Sequence, residues 1–158
     1  MNQNIKHKVR IAGRILFFIY LLLLVYFLFF AEAYGRKNFF ALEYRYNLIP
    51  FREIRRFWKY REKVGMLSAF LNLAGNVIGF LPFGFILPVI HPKLHHFCTA
   101  AGLGFLFSLC VETVQLVSKA GCFDVDDLLL NTLGAVLGYG LFALCNQIRR
   151  WKDGKKKV

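Results

Sequence analysis

Four long runs of nearly uncharged residues constrain this sequence more than any other feature. The runs are Ile15–Ala31, Val64–Ile90, Phe97–Ser118 and Leu128–Ile148, and only the third contains a charged residue, Glu112. A helix needs about 20 consecutive apolar residues to cross a bilayer core. Hydrophobic residues make up 57% of the 158 residues, which is more than a small soluble core can hide. The sequence therefore excludes an ordinary soluble globular domain.

The fold class predicted is all-α: a polytopic membrane helical bundle with four transmembrane helices and one interfacial amphipathic helix. We expect spans at about residues 12–33, 65–90, 97–118 and 127–148. They form a transmembrane domain over about residues 15–148, flanked by basic tails at about 1–14 and 149–158. The first run has an alternative interpretation as a secretory signal, because Ala31-Glu32-Ala33 imitates a cleavage site. Its length and the charge of Glu32 favour an uncleaved span.

The connection between the first two spans contains the predicted amphipathic helix, at about residues 50–63. Apolar and basic side chains alternate there at helical spacing, with Arg52, Arg55 and Arg56 on the basic side. Pro50 suits a first helical turn, and Asn47 is expected to help cap it. Two interpretations stay open. The helix is either a simple membrane-surface anchor or a phosphate-binding element whose arginines grip phosphate oxygens.

The net charge of +12 indicates a polyanionic partner, and the apolar composition selects lipid over nucleic acid. We therefore expect membrane lipids as partners, with an anionic or lipid-linked ligand among them, and no nucleic acid. A homo-oligomer and a membrane-protein partner both remain open. Lys and Arg are almost equally divided between the two sides of the membrane, and the two basic tails decide the prediction that both termini are cytoplasmic.

Polar side chains inside the predicted spans are the candidate site residues, because they are costly in lipid. They fall within roughly 20 Å of one membrane face, the face where the amphipathic helix and an acidic loop containing Asp124 emerge. These residues are Asn72, Asn76, Glu112, Gln115, Asp127 and Asn131. The alternative interpretation is structural: the carboxamides hold helices together by hydrogen bonds, and Glu112 is a neutral carboxyl bonded within the bundle.

Small residues predict where the helices touch. Gly104, Ser108 and Glu112 form one stripe, and Asn131, Gly134 and Gly138 form another, each at the spacing that lets helices approach closely. A second feature is the segment from Gly79 to Gly84, which contains Pro82 and predicts a kink or break in its span.

The sequence contains no phosphate-binding loop, dinucleotide turn or nucleophile elbow. The four cysteines, at 98, 110, 122 and 145, lack the spacing of a metal site. The histidines at 91, 95 and 96 have no acidic neighbour that would complete a ligand set. We therefore predict no metal and no cofactor. The cysteines are expected to pack in helix interfaces, with Cys122 the accessible one.

Four ordered motifs resemble the VanZ-like family. They are Asn47-Leu48-Ile49-Pro50-Phe51, the segment from Asn76 to Gly84, Glu112-Thr113-Val114-Gln115, and the segment from Asp124 to Gly134. The resemblance implies a small integral protein of the bacterial cell membrane, in a family named after a teicoplanin-resistance protein, and it supplies no reaction. The positions of this chain that match the family motifs are Asn47, Pro50, Phe51, Asn76, Pro82, Gly84, Glu112, Gln115, Asp124, Asp127, Asn131 and Gly134.

Three functions remain open. In the favoured one, an outward-facing polar pocket binds a lipid-linked or wall-polymer group and lowers susceptibility to teicoplanin-type glycopeptides. Its predicted ligand-binding residues are Asn47, Arg52, Arg55, Asn72, Asn76, Gln115 and Asn131, supported by the structural motif Pro50, Phe51, Gly79, Pro82, Gly84, Gly134 and Gly138. The second is a membrane hydrolase or transferase that uses Glu112 with Asp124 or Asp127 as a carboxylate pair. The third is a non-catalytic packing partner. A transporter is disfavoured, since no internal repeat is detectable.

Overall fold

The computed structural model describes residues 3–31, 44–64, 66–91, 94–119 and 121–155, with side chains over 7–29, 44–60, 70, 73–91, 94–119 and 121–152. Helix α1 spans Gln3–Tyr26 and continues as a π-helical turn over Phe27–Ala31. The helices that follow are α2 (Arg52–Val64), α3 (Met66–Ile90), α4 (Phe97–Val117) and α5 (Val125–Lys155). Two short strands, β1 (Tyr46–Asn47) and β2 (Phe123–Asp124), complete the described elements.

Four helices in the described part of the chain are long and apolar enough to cross a membrane, which confirms the predicted fold class. The qualifying segments are His7–Phe29, Leu73–Ile90, Phe97–Val117 and Val125–Lys152. Large apolar side chains point outward from them, and Val117, for example, is 70% exposed. Such exposure is costly in water and favourable in lipid.

Helices α1 and α5 extend beyond the predicted spans, because the helical backbone continues into polar residues that hydropathy does not count. Helix α1 already begins at Gln3, and α5 runs from Val125 to Lys155. Helix α2 lies where the amphipathic helix was predicted, with Glu53 in its first turn.

Helix α5 lies parallel to α3 and antiparallel to α4. The α3–α5 seam, formed by Gly84, Gly134 and Gly138, brings the two backbones into direct contact. A Cβ atom on Gly138 would lie 1.9 Å from the carbonyl oxygen of Leu81, and one on Gly134 would lie 2.2 Å from that of Val77. Only glycine fits at these positions. The predicted small-residue stripe of α5 therefore faces a helix.

The stripe on α4 also faces α5. A Cβ atom on Gly104 would lie 2.5 Å from the Cβ of Ala135, and Ser108 bonds Asn131 across the same interface. Both predicted stripes are thus interhelical contacts.

Helix α3 is continuous through Pro82 and Pro88, so it has no break of the kind that the sequence suggested. Neighbouring helices can stabilise the backbone around a proline in a membrane helix. Helix α1 provides such a neighbour: the Tyr20 hydroxyl donates to the Gly79 carbonyl over 2.7 Å, and the Phe17 and Phe83 rings lie 5.7 Å apart. These contacts make α1 part of the bundle.

The expectation that cysteines pack in helix interfaces is wrong for three of them. Cys98, Cys110 and Cys145 are exposed on the outer surface of the helices, and Cys122 is half-buried. A thiol is a small apolar group, so it is compatible with lipid as well as with a helix interface.

Candidate functional site: a carboxylate-rich junction

The predicted polar residues meet at the junction, the end of the bundle where α4 ends and where α2, α3 and α5 begin. Strands β1 and β2 pair there in parallel, with Tyr46 opposite Phe123 and Asn47 opposite Asp124. The Phe123 N–H also donates to the Arg45 carbonyl over 3.0 Å. This pairing joins the long α1–α2 connection to the acidic loop before α5.

Asp126 holds the start of α2. The three residues before the helix, Ile49, Pro50 and Phe51, have apolar side chains that cannot accept hydrogen bonds, although a helix begins with unpaired N–H groups. The carboxylate of Asp126 accepts hydrogen bonds from the N–H of Phe51, of Glu53 over 2.8 Å and of Ile54 over 3.2 Å. Asp126 is fully buried. A side chain of α5 therefore caps α2, and the expectation that Asn47 is the cap is corrected.

Asn47 instead ties the strand to the acidic loop. Its Nδ2 donates to Asp124 Oδ1 over 3.0 Å, and its Oδ1 accepts from the Ile49 N–H over 3.3 Å. Asp124 Oδ1 also accepts from the Asp126 N–H over 2.8 Å. Burial raises the pKa of the Asp124 carboxyl, while the hydrogen bonds from Asp126 and Asn47 act in the opposite direction.

Three residues predicted from the spans, Glu112, Asn76 and Gln115, form hydrogen bonds on the membrane side of the junction. Glu112 is buried, and its Oε2 accepts the Asp124 N–H over 2.9 Å. Asn76 on α3 donates to Asp127 on α5. Gln115 donates to the Leu28 carbonyl of the π-helical turn over 3.0 Å. Together these bonds join every spanning helix to the junction.

Asn131 lies one helical turn deeper than Asp127. Its Nδ2 donates to Ser108 Oγ over 2.9 Å, which links α5 to α4. Its buried Oδ1 has no hydrogen-bond partner among the described residues. Asn131 is therefore an interhelical contact beneath the junction.

A junction cavity of about 160 Å³ opens among these groups. Its lining combines two guanidinium groups with four carboxyls, and Arg56 pairs with Glu53 at 3.0 Å. The lining residues are Arg45, Glu53, Arg56, Phe57, Leu73, Gln115, Cys122, Asp124, Asp126 and Asp127. The cavity is small compared with sites for drug-sized ligands, which hold about 300–1,000 Å³. It therefore suits one polar group.

The remaining predicted residues divide into three sets. Arg52 and Arg55 are exposed and do not line the cavity. Asn72 belongs to α3, but its side chain lies outside the described residues. The predicted motif residues serve packing and chain direction: Gly79, Gly84, Gly134 and Gly138 lie in helix contacts, Pro82 lies within α3, and Pro50 and Phe51 precede α2.

Sequence reasoning missed Asp126, Arg45 and Glu53 as site residues. A signal for Asp126 was present, because a helix that starts after Ile49-Pro50-Phe51 needs an acceptor from elsewhere. Nothing comparable marks Arg45, whose place in the cavity depends on the pairing of β1 with β2.

The cavity offers groups that can bind a polar ligand. Arg45 and Arg56 can hold an anion, and the carboxylates can accept hydroxyl or amine donors. Within the described part of the chain, no three His, Cys, Asp or Glu side chains are grouped to hold a metal ion. Burial and the charge of Asp124 raise the pKa of the Cys122 thiol, which disfavours the nucleophilic thiolate.

Comparison with known proteins identifies relatives. The VanZ/LLP1 family model matches residues 17–146, a range that contains every residue of the junction cavity. Protein VanZ of Enterococcus faecium is 30% identical over 139 residues, which cover 87% of this chain and 78% of that protein. No solved structure matches the chain.

Proposed function

This chain belongs to the VanZ/LLP1 family, and from that premise we propose that it lowers bacterial susceptibility to teicoplanin-type glycopeptides. In this proposal the protein lies in the cell membrane with both termini cytoplasmic. The junction, at the other end of the bundle, then faces outward. There it binds a polar group of a lipid-linked or wall-polymer molecule.

The observation that carries the proposal is the pairing of opposite charges in one small cavity, with Arg45 and Arg56 facing four carboxyls. A wall-precursor headgroup has the complementary groups: a phosphate for the guanidinium groups, and sugar hydroxyls or amines for the carboxylates. The cavity volume admits one such group rather than a whole saccharide.

Binding is favoured over catalysis because the predicted carboxylate pair does not meet in the cavity. Asp124 and Asp127 line the cavity, whereas Glu112 does not, and Glu112 Oε2 accepts the Asp124 N–H. A general acid or base must reach the substrate. The carboxylate-pair enzyme stays a prediction, and a search for turnover that Asp127→Asn abolishes would test it.

The test compares two substitutions in α2 that remove the same charge. Arg56→Gln changes the cavity lining, whereas Lys59→Gln changes an exposed residue outside it. Each variant is expressed at a matched membrane level in a susceptible Gram-positive host, and growth inhibition by teicoplanin is measured beside vancomycin. Loss of a charge-assisted hydrogen bond weakens binding by about tenfold. We expect Arg56→Gln to lose protection against teicoplanin and Lys59→Gln to keep it.

Equal behaviour of the two variants would contradict a role for the cavity. Arg45→Gln separates binding from simple packing, because Arg45 lines the cavity but is exposed, so that the substitution leaves the helix contacts in place. If normally folded Arg45→Gln and Arg56→Gln proteins both protect fully, the non-catalytic packing partner replaces the binding proposal. A wild-type protein that gives no protection would remove the resistance function itself.

A further inference from the structure

A second recess, the terminal groove, lies at the end of the bundle where α5 ends, opposite the junction. It has a volume of about 700 Å³, several times that of the junction cavity. Its wall is aromatic, with His95, Tyr139 and Phe142, and its rim carries Asn146, Arg150 and Trp151. Arg150 and Trp151 lie at the end of the apolar segment Val125–Lys152. Such residues mark the depth of lipid headgroups.

The wall of the groove is fixed by internal bonds. The Tyr139 hydroxyl donates to the His95 carbonyl over 2.8 Å, and His95 Nε2 lies 2.7 Å from the Pro88 carbonyl oxygen. The His95 and Phe142 rings are 5.1 Å apart. The loop before α4 is thereby held against α5. A preformed recess costs less ordering when it binds a ligand.

Charge distinguishes this groove from the junction cavity. None of its described lining residues is acidic, whereas four carboxyls line the junction cavity. Arg149 adds positive charge at the rim, where its guanidinium donates to Asn146 Oδ1 over 2.8 Å. Basic recesses beside membrane helices suit anionic headgroups, with the acyl chains lying along apolar residues.

We propose that the terminal groove is a binding site for an anionic phospholipid, whose phosphate contacts Arg150 and whose acyl chain lies along Phe142. The site is separate from the junction and does not depend on its function. Because the loop before α4 contributes His95 and α5 contributes the other lining residues, the lipid joins this loop to the last turns of α5.

The test uses Trp151 as a reporter in the full chain. Trp58 is the one other tryptophan, so Trp58→Phe leaves the groove as the source of tryptophan emission. The protein in neutral detergent is titrated with short-chain phosphatidylglycerol, with phosphatidylcholine of the same chain length, and with inorganic phosphate. The expected result is a saturable change in Trp151 emission with phosphatidylglycerol alone.

Two substitutions of equal charge then locate the site. Arg150→Gln removes the guanidinium in the groove, and Lys152→Gln removes a neighbouring charge outside it. Both reduce diffuse attraction to anionic lipid, but only the first removes the direct phosphate contact. We expect Arg150→Gln to bind phosphatidylglycerol about tenfold more weakly than Lys152→Gln, and Arg150→Lys to bind with intermediate affinity.

Three outcomes would overturn the proposal. Equal weakening by Arg150→Gln and Lys152→Gln would mean diffuse surface attraction. An equal response to phosphatidylcholine would remove the preference for an anion, and an equal response to inorganic phosphate would remove the lipid. Unfolding of each variant in sodium dodecyl sulfate, measured in parallel, shows whether a loss of binding reflects a loss of structure.

Discussion

The α3–α5 seam and the junction hold the same helices together by opposite means. In the seam, glycines let two backbones touch, and a Cβ atom on Gly84 would lie 1.8 Å from the Ala135 carbonyl oxygen. In the junction, the buried carboxylate of Asp126 accepts N–H groups from a segment more than 70 residues away in sequence. The seam therefore tolerates no added volume, and the junction tolerates no lost acceptor.

Gly138→Ala should have the largest effect, because its methyl group must displace the Leu81 carbonyl. Overpacking of this kind costs about 3 kcal/mol, and we expect the free energy of unfolding in mixed detergent and dodecyl sulfate to fall by about that amount. Gly140 is the matched control, since it lies two residues further along the same helix and has nothing within 4 Å of its Cβ position. Equal effects of the two alanines would show that the seam is not close-packed.

Asp126→Asn tests the junction in the same way. Asparagine places an amide N–H₂ group among backbone donors, and an unsatisfied buried group costs about 2 kcal/mol. Because the cost falls on the start of α2, we expect this helix to detach locally while the spans stay folded. Tryptic cleavage within α2 should then accelerate by about thirtyfold.

Glu53→Gln is the control for that measurement, since it loses a partly exposed ion pair with Arg56. Exposed pairs contribute at most about 1 kcal/mol, so cleavage of α2 should accelerate by less than about fivefold. If Asp126→Asn left the cleavage rate unchanged, α2 would be held by its apolar face and not by its cap.

The seam could be predicted from sequence and the junction only in part, and the difference is physical. Stripes such as Asn131, Gly134 and Gly138 are local, since helical periodicity alone places them on one face. Polarity and depth also predicted that Asn76, Glu112 and Asp127 converge on one end of the bundle. The hydrogen-bond partners could not be predicted, because they depend on which loops meet.

The positions of the arginines of α2 could likewise be predicted only in part. Periodicity indicates that a helix has a basic side, but the basic side is wide, and sequence does not fix which part of it faces the bundle. Asp126 fixes the start of α2, and Arg56 then lines the cavity, whereas Arg52 and Arg55 do not, although all three side chains are exposed. Arg45 reaches the cavity only because β1 pairs with β2.

Ser108→Ala tests the layer between the seam and the junction. It removes the acceptor of the Asn131 amide, whose oxygen is already without a partner among the described residues. Interhelical hydrogen bonds in membranes are worth about 1 kcal/mol, so the free energy of unfolding should fall by about that much. Adding Asn131→Leu removes the second polar group and should recover part of the loss. A further loss in the double variant would indicate that Asn131 has a role beyond this bond.

The smallest expected effect is a difference between the junction and the seam in how their stability depends on pH. Burial raises the pKa of Asp124 above its usual value of 3.8, so the folded protein binds that proton more tightly than the unfolded chain does. Stability from this group is therefore complete below the unfolded pKa and is lost as pH rises through the folded pKa.

The variant Asp124→Asn cannot titrate at this position, yet its side-chain oxygen can still accept a hydrogen bond from Asn47. The difference in unfolding free energy between Asp124→Asn and wild type should thus change with pH on the acidic side of neutrality, whereas the difference for Gly138→Ala should stay constant. A pH-independent difference for Asp124→Asn would mean that the hydrogen bonds to this carboxylate offset its burial completely.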